Sequence, residues 1–245
     1  MIEDGLIIVP AYNEAGVIES TLKELKSYAQ NILVVDDGST DHTSELAKNL
    51  GVLVLRHPAN LGYASALKTG FLYGLRYTFY DYFLTFDADG QHHPAFLEMI
   101  VKSLRNGEAD FVIGSRYLEP AKVKHPVVRR AGSRVFAFFT SLLVAQKITD
   151  PTSGMVGLNR RVAKIFLSEF FPLDFPDADV VIMLARMGFK IKEVPVEMRA
   201  SKRRGSMHSG VVKPIYYFFK MSTSMIHFAL RRDLKEKRRE LESVF

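Results

Sequence analysis

Asp87 and Asp89 stand one residue apart at the end of the apolar, β-prone run Phe83-Leu84-Thr85-Phe86, and Gly90, Gln91 and Pro94 follow. Two carboxylates at a strand end, with an amide oxygen at Gln91, suit a hard divalent cation that keeps open positions for phosphate oxygens. Gly90 frees the backbone to turn, and Pro94 suits the first turn of a following helix. An Asp-x-Asp triplet alone is equally a solvated polar turn, so the reading depends on what the chain brings to the same place.

The elements that must position these acids alternate along the first ~115 residues as short apolar runs and helical patterns, the signature of a parallel sheet. Leu6 to Val9 reads as a first strand, followed by the polar loop Pro10-Ala11-Tyr12-Asn13-Glu14 and a helix from about Ala15 to Ala29. Ile32 to Val35 reads as a second strand, and the Ser, Thr and Asp of Asp36-Asp37-Gly38-Ser39-Thr40-Asp41 can cap a helix over 42–50. Val52 to Leu55 makes a third strand, and Asn60-Leu61-Gly62-Tyr63-Ala64-Ser65-Ala66 opens a helix with small residues. The fourth strand leads into Asp87, and Phe111 to Gly114 makes a fifth. Glu14, then Asp36 and Asp37, then Asp87 and Asp89 therefore stand at ends that share one edge of a parallel sheet. Like charges gathered there repel unless a cation or a donor-rich ligand separates them, so this pattern points to a site.

Composition sets the outer bounds. The 245 residues are 47% hydrophobic and 24% charged, ample for one α/β domain with an appendage. With no cysteine, disulfides and thiolate metal sites are excluded. The N-terminus enters a strand-like segment without a basic and apolar leader pattern, so no secretory signal is expected. The net charge of +6 is unevenly placed, with twelve Lys or Arg between Arg199 and Arg239 against Asp233 and Glu236 alone. A second cluster, Arg116, Lys122, Lys124, Arg129, Arg130 and Arg134, is opposed only by Glu119. Such clusters attract phosphate in a substrate, a lipid headgroup or nucleic acid, and the run from Lys235 to Arg239 also reads as a solvated basic tail.

Pro10-Ala11-Tyr12-Asn13-Glu14, Val35-Asp36-Asp37-Gly38-Ser39-Thr40-Asp41, Asn60-Leu61-Gly62, Asp87-Ala88-Asp89-Gly90-Gln91 and Gly114-Ser115-Arg116-Tyr117 together resemble the family 2 inverting glycosyltransferases. Within these, the chain looks most like the polyprenyl-phosphate sugar transferases, of which dolichyl-phosphate mannose synthase is the type. The resemblance covers about residues 5 to 200. It implies the GT-A fold, an α/β class with a mostly parallel Rossmann-like sheet flanked by helices. It also implies that Pro10, Tyr12, Glu14 and Asp37 line the nucleotide, and that Asp87, Asp89 and Gln91 hold Mg²⁺ or Mn²⁺ against the diphosphate. Arg116 resembles a family arginine that contacts phosphate, and Asp150-Pro151-Thr152-Ser153-Gly154 resembles a motif on the acceptor side. Two elements depart from the family pattern. The basic element Arg199-Ala200-Ser201-Lys202-Arg203-Arg204-Gly205-Ser206 has a different spacing, leaving Arg199, Lys202 and Arg203 as alternatives for a phosphate contact. An acidic element reads Pro176-Asp177-Ala178-Asp179, leaving a base between Asp177 and Asp179. No glycine-rich phosphate loop is present, which counts against hydride transfer and NTP hydrolysis.

Sugar transfer from a nucleotide diphosphate needs its leaving group stabilised as charge develops, by a cation and nearby arginines. A lipid phosphate acceptor is already anionic and needs only to be held in line, for which Arg116, Arg130 and Arg134 are candidates. A hydroxyl acceptor requires a carboxylate base, Asp177 or Asp179.

Residues 211 to 232 carry an independent signal. At helical spacing Lys213, Lys220, Ser224, His227 and Arg231 fall on one narrow face, and the remainder is rich in Phe, Tyr, Met and Ile. Such a helix, and the apolar stretch from Val135 to Ala145, are too short and polar-striped to span and suit a membrane interface or a membrane partner. His92, His93 and His227 have no metal-spaced partners and read as site-edge or surface residues.

The sequence therefore predicts a catalytic domain over 1–205 and an amphipathic helix with a basic tail over 206–245. The expected activity moves a hexose from a nucleotide-diphosphate sugar to polyprenyl phosphate at the cytoplasmic face of a membrane, with a small transmembrane partner protein as a plausible companion. The same fold acting on a saccharide hydroxyl is the first alternative. A sugar-1-phosphate nucleotidyltransferase, which would carry a glycine-rich loop after its first strand, and a non-catalytic binding or scaffold protein stand further off. Nucleic acid is not expected, because the aromatics lie in an apolar helix and not among exposed basic strands.

Overall fold

The computed structural model describes residues 1–118, 127–172, 174, 176–199 and 212–244. Strand β1 (Gly5–Ala11) is followed by helix α1 (Ile18–Leu25), β2 (Ile32–Asp36), α2 (Thr43–Asn49), β3 (Leu53–Arg56), α3 (Tyr63–Tyr77) and β4 (Tyr82–Thr85). A 3-10 turn at Pro94–Phe96 leads into α4 (Leu97–Arg105), then β5 (Phe111–Ser115) and α5 (Val127–Val144). The remainder is β6 (Val156–Asn159), α6 (Arg160–Phe166), α7 (Ala178–Met187), β7 (Ile191–Pro195), α8 (Val212–Leu230) and α9 (Leu234–Val244).

The seven strands form one sheet in the order β3-β2-β1-β4-β6-β5-β7. Pairing is parallel throughout except for β6, which runs antiparallel to both neighbours, β4 and β5. Continuous apolar runs such as Leu6-Ile7-Ile8-Val9 arise because helices cover both faces of the sheet. One core lies on the side of α3, α6 and α7, and the other on the side of α1 and α4. The strand order reverses between β1 and β4. The loops leaving the carboxyl ends of these two strands therefore flank the crevice where ligands sit in open α/β sheets.

The five strands read from sequence all form, with boundaries shifted by a residue or two. The short antiparallel β6 was not anticipated, and it wedges β5 away from β4. The basic run Lys235–Arg239 lies in α9, with Lys235 and Arg239 exposed. There Arg238 stacks 3.9 Å from the Phe189 ring centre and donates to the Met187 carbonyl at the end of α7. Met221, Met225, Phe228 and Leu234 join the core cluster formed by α3, α6 and α7, so residues 212–244 share the hydrophobic core of the catalytic segment.

Candidate active site

The loops at the carboxyl edge are tied together before any acid is presented. Asn13 adopts a left-handed backbone, φ 54°, and its amide donates to Ser39 Oγ at 2.9 Å. The Asn13 side-chain oxygen accepts from the Thr40 amide at 2.9 Å, and the Glu14 amide donates to Thr43 Oγ1 at 2.8 Å. The loop after β1 is thus laced onto the loop after β2. Pro10 lies buried within β1, paired in register with Val35, whereas Tyr12 projects from the edge and Glu14 is buried.

Asp36 and Asp37 are used within the protein. Asp36 accepts from the Ser39 amide and the Ser44 hydroxyl and lies beside Arg56. Asp37 accepts from His57 Nδ1 at 2.7 Å and from the amides of Leu61 and Gly62 at 2.9 and 2.8 Å. His57 in turn meets Thr69 Oγ1 at 2.8 Å. Asp37, expected to line the nucleotide, also fixes Asn60-Leu61-Gly62 at the mouth of α3.

Beyond β4 the acids are held differently. Asp87, 29% exposed, meets His92 Nε2 at 3.0 Å through Oδ2, and Tyr63 Oη donates to Oδ1 at 3.3 Å. Burial pushes the Asp87 carboxyl up, but the His92 and Tyr63 hydrogen bonds and the His92 and Arg116 charges hold it below the ordinary carboxylate value. Burial, and then the charge of Asp87, push Asp89 up. Its two oxygens accept from the Gln91 amide at 2.9 Å and from Gln91 Nε2 at 2.7 Å. Gly90, at φ +73°, makes this closure possible. Gly154 comes up beneath the pair: a Cβ there would lie 2.4 Å from Asp87 Oδ2.

The donors here, two carboxylates of one turn and the oxygen of Gln91, are the hard ligands that Mg²⁺ or Mn²⁺ takes. Among the described residues no third acid or histidine completes a metal cluster, so the remaining coordination would come from phosphate and water. His92, read as a site-edge residue, is in fact buried behind Asp87, with Nδ1 lacking a hydrogen-bond partner among the described residues.

A cavity continues inward from this point, lined by Tyr63, Thr85, Ser153, Gly154, Pro176 and Asp177 and backed by Leu67, Phe111, Phe166 and Phe171. Asp177 and Asp179, equivalent in sequence, separate here. Asp179 is 0% exposed; Oδ1 accepts from the amides of Asp177 and Val180 at 3.1 and 2.9 Å, and Oδ2 from Ser224 Oγ at 2.6 Å. It pins the start of α7 to α8. Asp177 lines the cavity and accepts from Tyr217 Oη at 2.7 Å. Burial, and after it the Asp179 charge, push the Asp177 carboxyl up to about 6 against the pull of Tyr217 and Arg116.

Arg116 is 5% exposed. Its Nε and Nη2 meet the two oxygens of Asp150 at 2.6 and 2.7 Å, and Nη2 also reaches the Thr152 carbonyl at 3.0 Å. Burial alone would weaken the guanidinium's hold on its proton, but Asp150 more than reverses that. The arginine expected to receive a phosphate is thus already one half of a buried ion pair. Arg134 is exposed on α5. Arg199 forms a two-point pair with Glu24 at 2.6 and 2.7 Å, and its amide donates to the Gln91 carbonyl at 2.8 Å. Arg199 itself thus sits beside the acidic turn. Lys202 lies outside the described residues, as does the side chain of Arg130.

Sequence reasoning gave no role to His57, Tyr63 or Tyr217, which reach their partners Asp37, Asp87 and Asp177 from 20 to 40 positions away. No local spacing announces such partners.

The family model for "Glycosyl transferase family 2" matches residues 6–166. An uncharacterized protein of Methanocaldococcus jannaschii is 38% identical over 89% of this chain and 91% of its own length. A polyprenol monophosphomannose synthase of Mycolicibacterium smegmatis is 32% identical over 82% of this chain and 81% of its own length. Among solved structures, a glucosyl-3-phosphoglycerate synthase of Mycobacterium tuberculosis, crystallised with Mn²⁺, UDP-glucose and phosphoglyceric acid, superposes with a TM-score of 0.64 at 22% identity. That superposition covers 93% of this chain and 79% of the mycobacterial one, and it establishes the shared GT-A fold. By the match of its first two-thirds to the family model, and by its seven-stranded sheet, this chain belongs to glycosyl transferase family 2.

Proposed function

We propose that this glycosyltransferase moves a hexose from a nucleotide-diphosphate sugar to polyprenyl phosphate at the cytoplasmic surface of a membrane. The observation that carries the reading is an apolar face on α5 and α8, the latter bonded to Asp177 through Tyr217. Phe136 of α5 packs on Tyr217 and Phe218 of α8 with ring centres 5.7 Å apart in both cases. Beside this seam Phe138, Phe139 and Leu142 of α5, and Tyr216, Phe219, Ile226 and Leu230 of α8, are exposed. Grouped apolar exposure of this kind on a family 2 chain suits a lipid surface, with the exposed Arg134 and Arg232 available to anionic headgroups. No helix among the described residues is long and apolar enough to cross a membrane, so contact would be peripheral or shared with a membrane partner. The mycobacterial relative's name, polyprenol monophosphomannose synthase, supports the same acceptor class.

Of the polar stripe expected on α8, Ser224 bonds Asp179 and Lys220 pairs with Asp174, whereas His227 is exposed. The exposed face of α8 carries Tyr216, Phe219, Ile226 and Leu230 beside Thr223 and His227.

In this mechanism Tyr12, at the free edge, and Glu14 contact the nucleotide, while the Asp37 brace holds the loop that closes over it. Asp87 and Asp89, with Gln91, would hold Mg²⁺ or Mn²⁺. A bound cation there supplies Lewis-acid stabilisation of the nucleoside diphosphate leaving group. The chain's own contribution is to place and shield the reacting groups. His92 and Gly154 fix Asp87, and Gln91 fixes Asp89. Asp177, ionised above about pH 6, accepts hydrogen bonds from sugar hydroxyls. Arg134 and the basic run after Arg199 offer charge to the acceptor phosphate, which attacks the anomeric carbon without losing a proton.

A second reading rests on Asp177 alone. A carboxylate lining the cavity and raised to about 6 is competent as a general base, which an acceptor hydroxyl of a growing saccharide would require. The deciding experiment is nucleoside diphosphate release with Mn²⁺ from a panel of nucleotide sugars, with and without polyprenyl phosphate in detergent. Release dependent on the lipid phosphate is expected; release only with a saccharide acceptor would overturn the reading in favour of the second.

A further inference from the structure

Helix α8 has two faces, and each touches something functional. Inward, Tyr217, Met221, Ser224, Met225 and Phe228 recur at helical spacing. Met221, Met225 and Phe228 fill the core, and the two polar members bond the two acids of the Asp177-Ala178-Asp179 element. Outward, the neighbours of Tyr217 in sequence, Tyr216 and Phe218, are exposed, and Phe219 is 65% exposed. A single turn of helix therefore carries both the apolar docking surface and the only side-chain donor that the described residues give Asp177.

We propose that Tyr217 is a positioning residue which holds Asp177 toward the cavity, and that seating the outer face of α8 on a lipid surface holds Tyr217 in place. The inference rests on the membrane-surface reading of α5 and α8 and adds to it a coupling between surface and site. Two features support it. The Asp177-Tyr217 bond crosses 40 positions of sequence and includes no backbone atom, so its length depends on where α8 lies. Phe136 packs on both Tyr217 and Phe218, so α5 and α8 would shift as one unit.

The charged and titratable groups that face Asp177 are Tyr217 from α8, Asp179 from α7, Arg116 after β5, Asp150 before β6, and Tyr63 from α3. Of these, Tyr217 and Arg116 favour the ionised form. Removing the Tyr217 hydroxyl raises the Asp177 pKa further, so the acid limb of the rate profile moves to higher pH.

The test uses the full chain, a productive nucleotide sugar, and a water-soluble isoprenyl phosphate, so that docking is separated from access to a membrane-bound acceptor. Vesicles of phosphatidylcholine with one-quarter phosphatidylglycerol are added or withheld. For the native chain, vesicles should raise turnover at least about fivefold, the low end of couplings between linked sites. Phe219→Glu should lose vesicle co-sedimentation and the stimulation together, while keeping the unstimulated rate. Tyr217→Phe should still co-sediment but lose the stimulation, with its acid limb moved up in pH. Asp177→Asn should abolish that pH difference, so that the double variant behaves as Asp177→Asn alone. Stimulation and pH limb both unchanged in Tyr217→Phe would overturn the positioning role, as would a native chain that co-sediments without stimulation. Failure of the underlying reading is separately visible as absence of co-sedimentation and of transfer to isoprenyl phosphate. In that event the pH comparison, run with a saccharide acceptor, still decides whether Tyr217 sets Asp177.

Discussion

His92 stands directly behind Asp87, its Nε2 3.0 Å from Oδ2, with the ring buried and Nδ1 without a partner among the described residues. An imidazole with one free nitrogen enclosed in protein has a single directional bond to make, and it makes it to the carboxylate that faces the crevice. Partners of this kind orient a metal ligand, and their loss typically costs 10–100-fold in metal affinity. His92→Leu should therefore weaken Mn²⁺ binding by about that factor, read by electron paramagnetic resonance titration without substrate, and leave the circular dichroism spectrum intact. Asp89→Asn should abolish cation-dependent turnover while the protein stays folded. Unaltered Mn²⁺ affinity in both variants would remove the metal assignment.

Gly154 tests the same turn from the other side. A methyl group at this position would sit 2.4 Å from Asp87 Oδ2, inside any permissible contact, and the short Asp side chain has little room to yield. Gly154→Ala should displace the carboxylate and reduce kcat/KM by roughly 100-fold, the scale of a misplacement near 1 Å, with little change in Tm. A variant of native activity would show that Asp87 need not occupy its observed position.

Most of the carboxyl edge was legible because its residues are local. Asp87, Asp89 and Gln91 lie within five positions, and a strand followed by glycine tells where they point. Buried strands also declare themselves, since Leu6 to Val9 and Ile32 to Val35 are apolar on both faces. What was illegible depends on contacts made across the chain. The internal bonds of Asp37 are of this kind, because its partners, His57 and the amides of Leu61 and Gly62, lie 20 to 25 positions away. Asp177 and Asp179 are indistinguishable by spacing, and only the approach of Tyr217 and Ser224 from α8 separates them. The four-residue β6 is too short and too mixed, Val-Gly-Leu-Asn, to register as a core strand.

The division of labour between those two acids has a thermal signature. Burial, chiefly, raises Asp177 from 3.8 to about 6, so the native state binds this proton more tightly than the unfolded chain does. Its contribution is complete below pH 3.8 and is lost as pH rises through about 6, where the charged form must be buried. Asp177→Asn should therefore stabilise the protein at pH 7.5 relative to pH 4.5, by on the order of 1–2 kcal/mol, while impairing turnover. Asp179→Ala should do the reverse to stability. It strands two amides and the Ser224 hydroxyl, and should cost about 2–3 kcal/mol. Scanning calorimetry of the two variants at both pH values separates the roles, and equal behaviour would show that neither acid is specialised.

Arg116 and Asp150 make the last case, because the arginine was expected to serve a phosphate and is found neutralised. Both side chains are almost wholly enclosed, and the pair is bidentate, with Thr152 taking a further bond from Nη2. Removing one partner leaves a buried charge without compensation, which costs about 3–5 kcal/mol. Removing both leaves a cavity but no charge. Asp150→Ala should therefore lower the urea midpoint sharply, and Arg116→Met should do so by a similar amount. The double variant should lose less than the sum, with a coupling on the order of 2 kcal/mol. Arg116→Lys should not rescue, since an ammonium cannot span both oxygens of Asp150 while keeping Thr152. Additive losses would mean the two side chains act separately. In that event Arg116 would be free to take up a phosphate, and its Lys variant should then raise the KM for the acceptor without moving the urea midpoint.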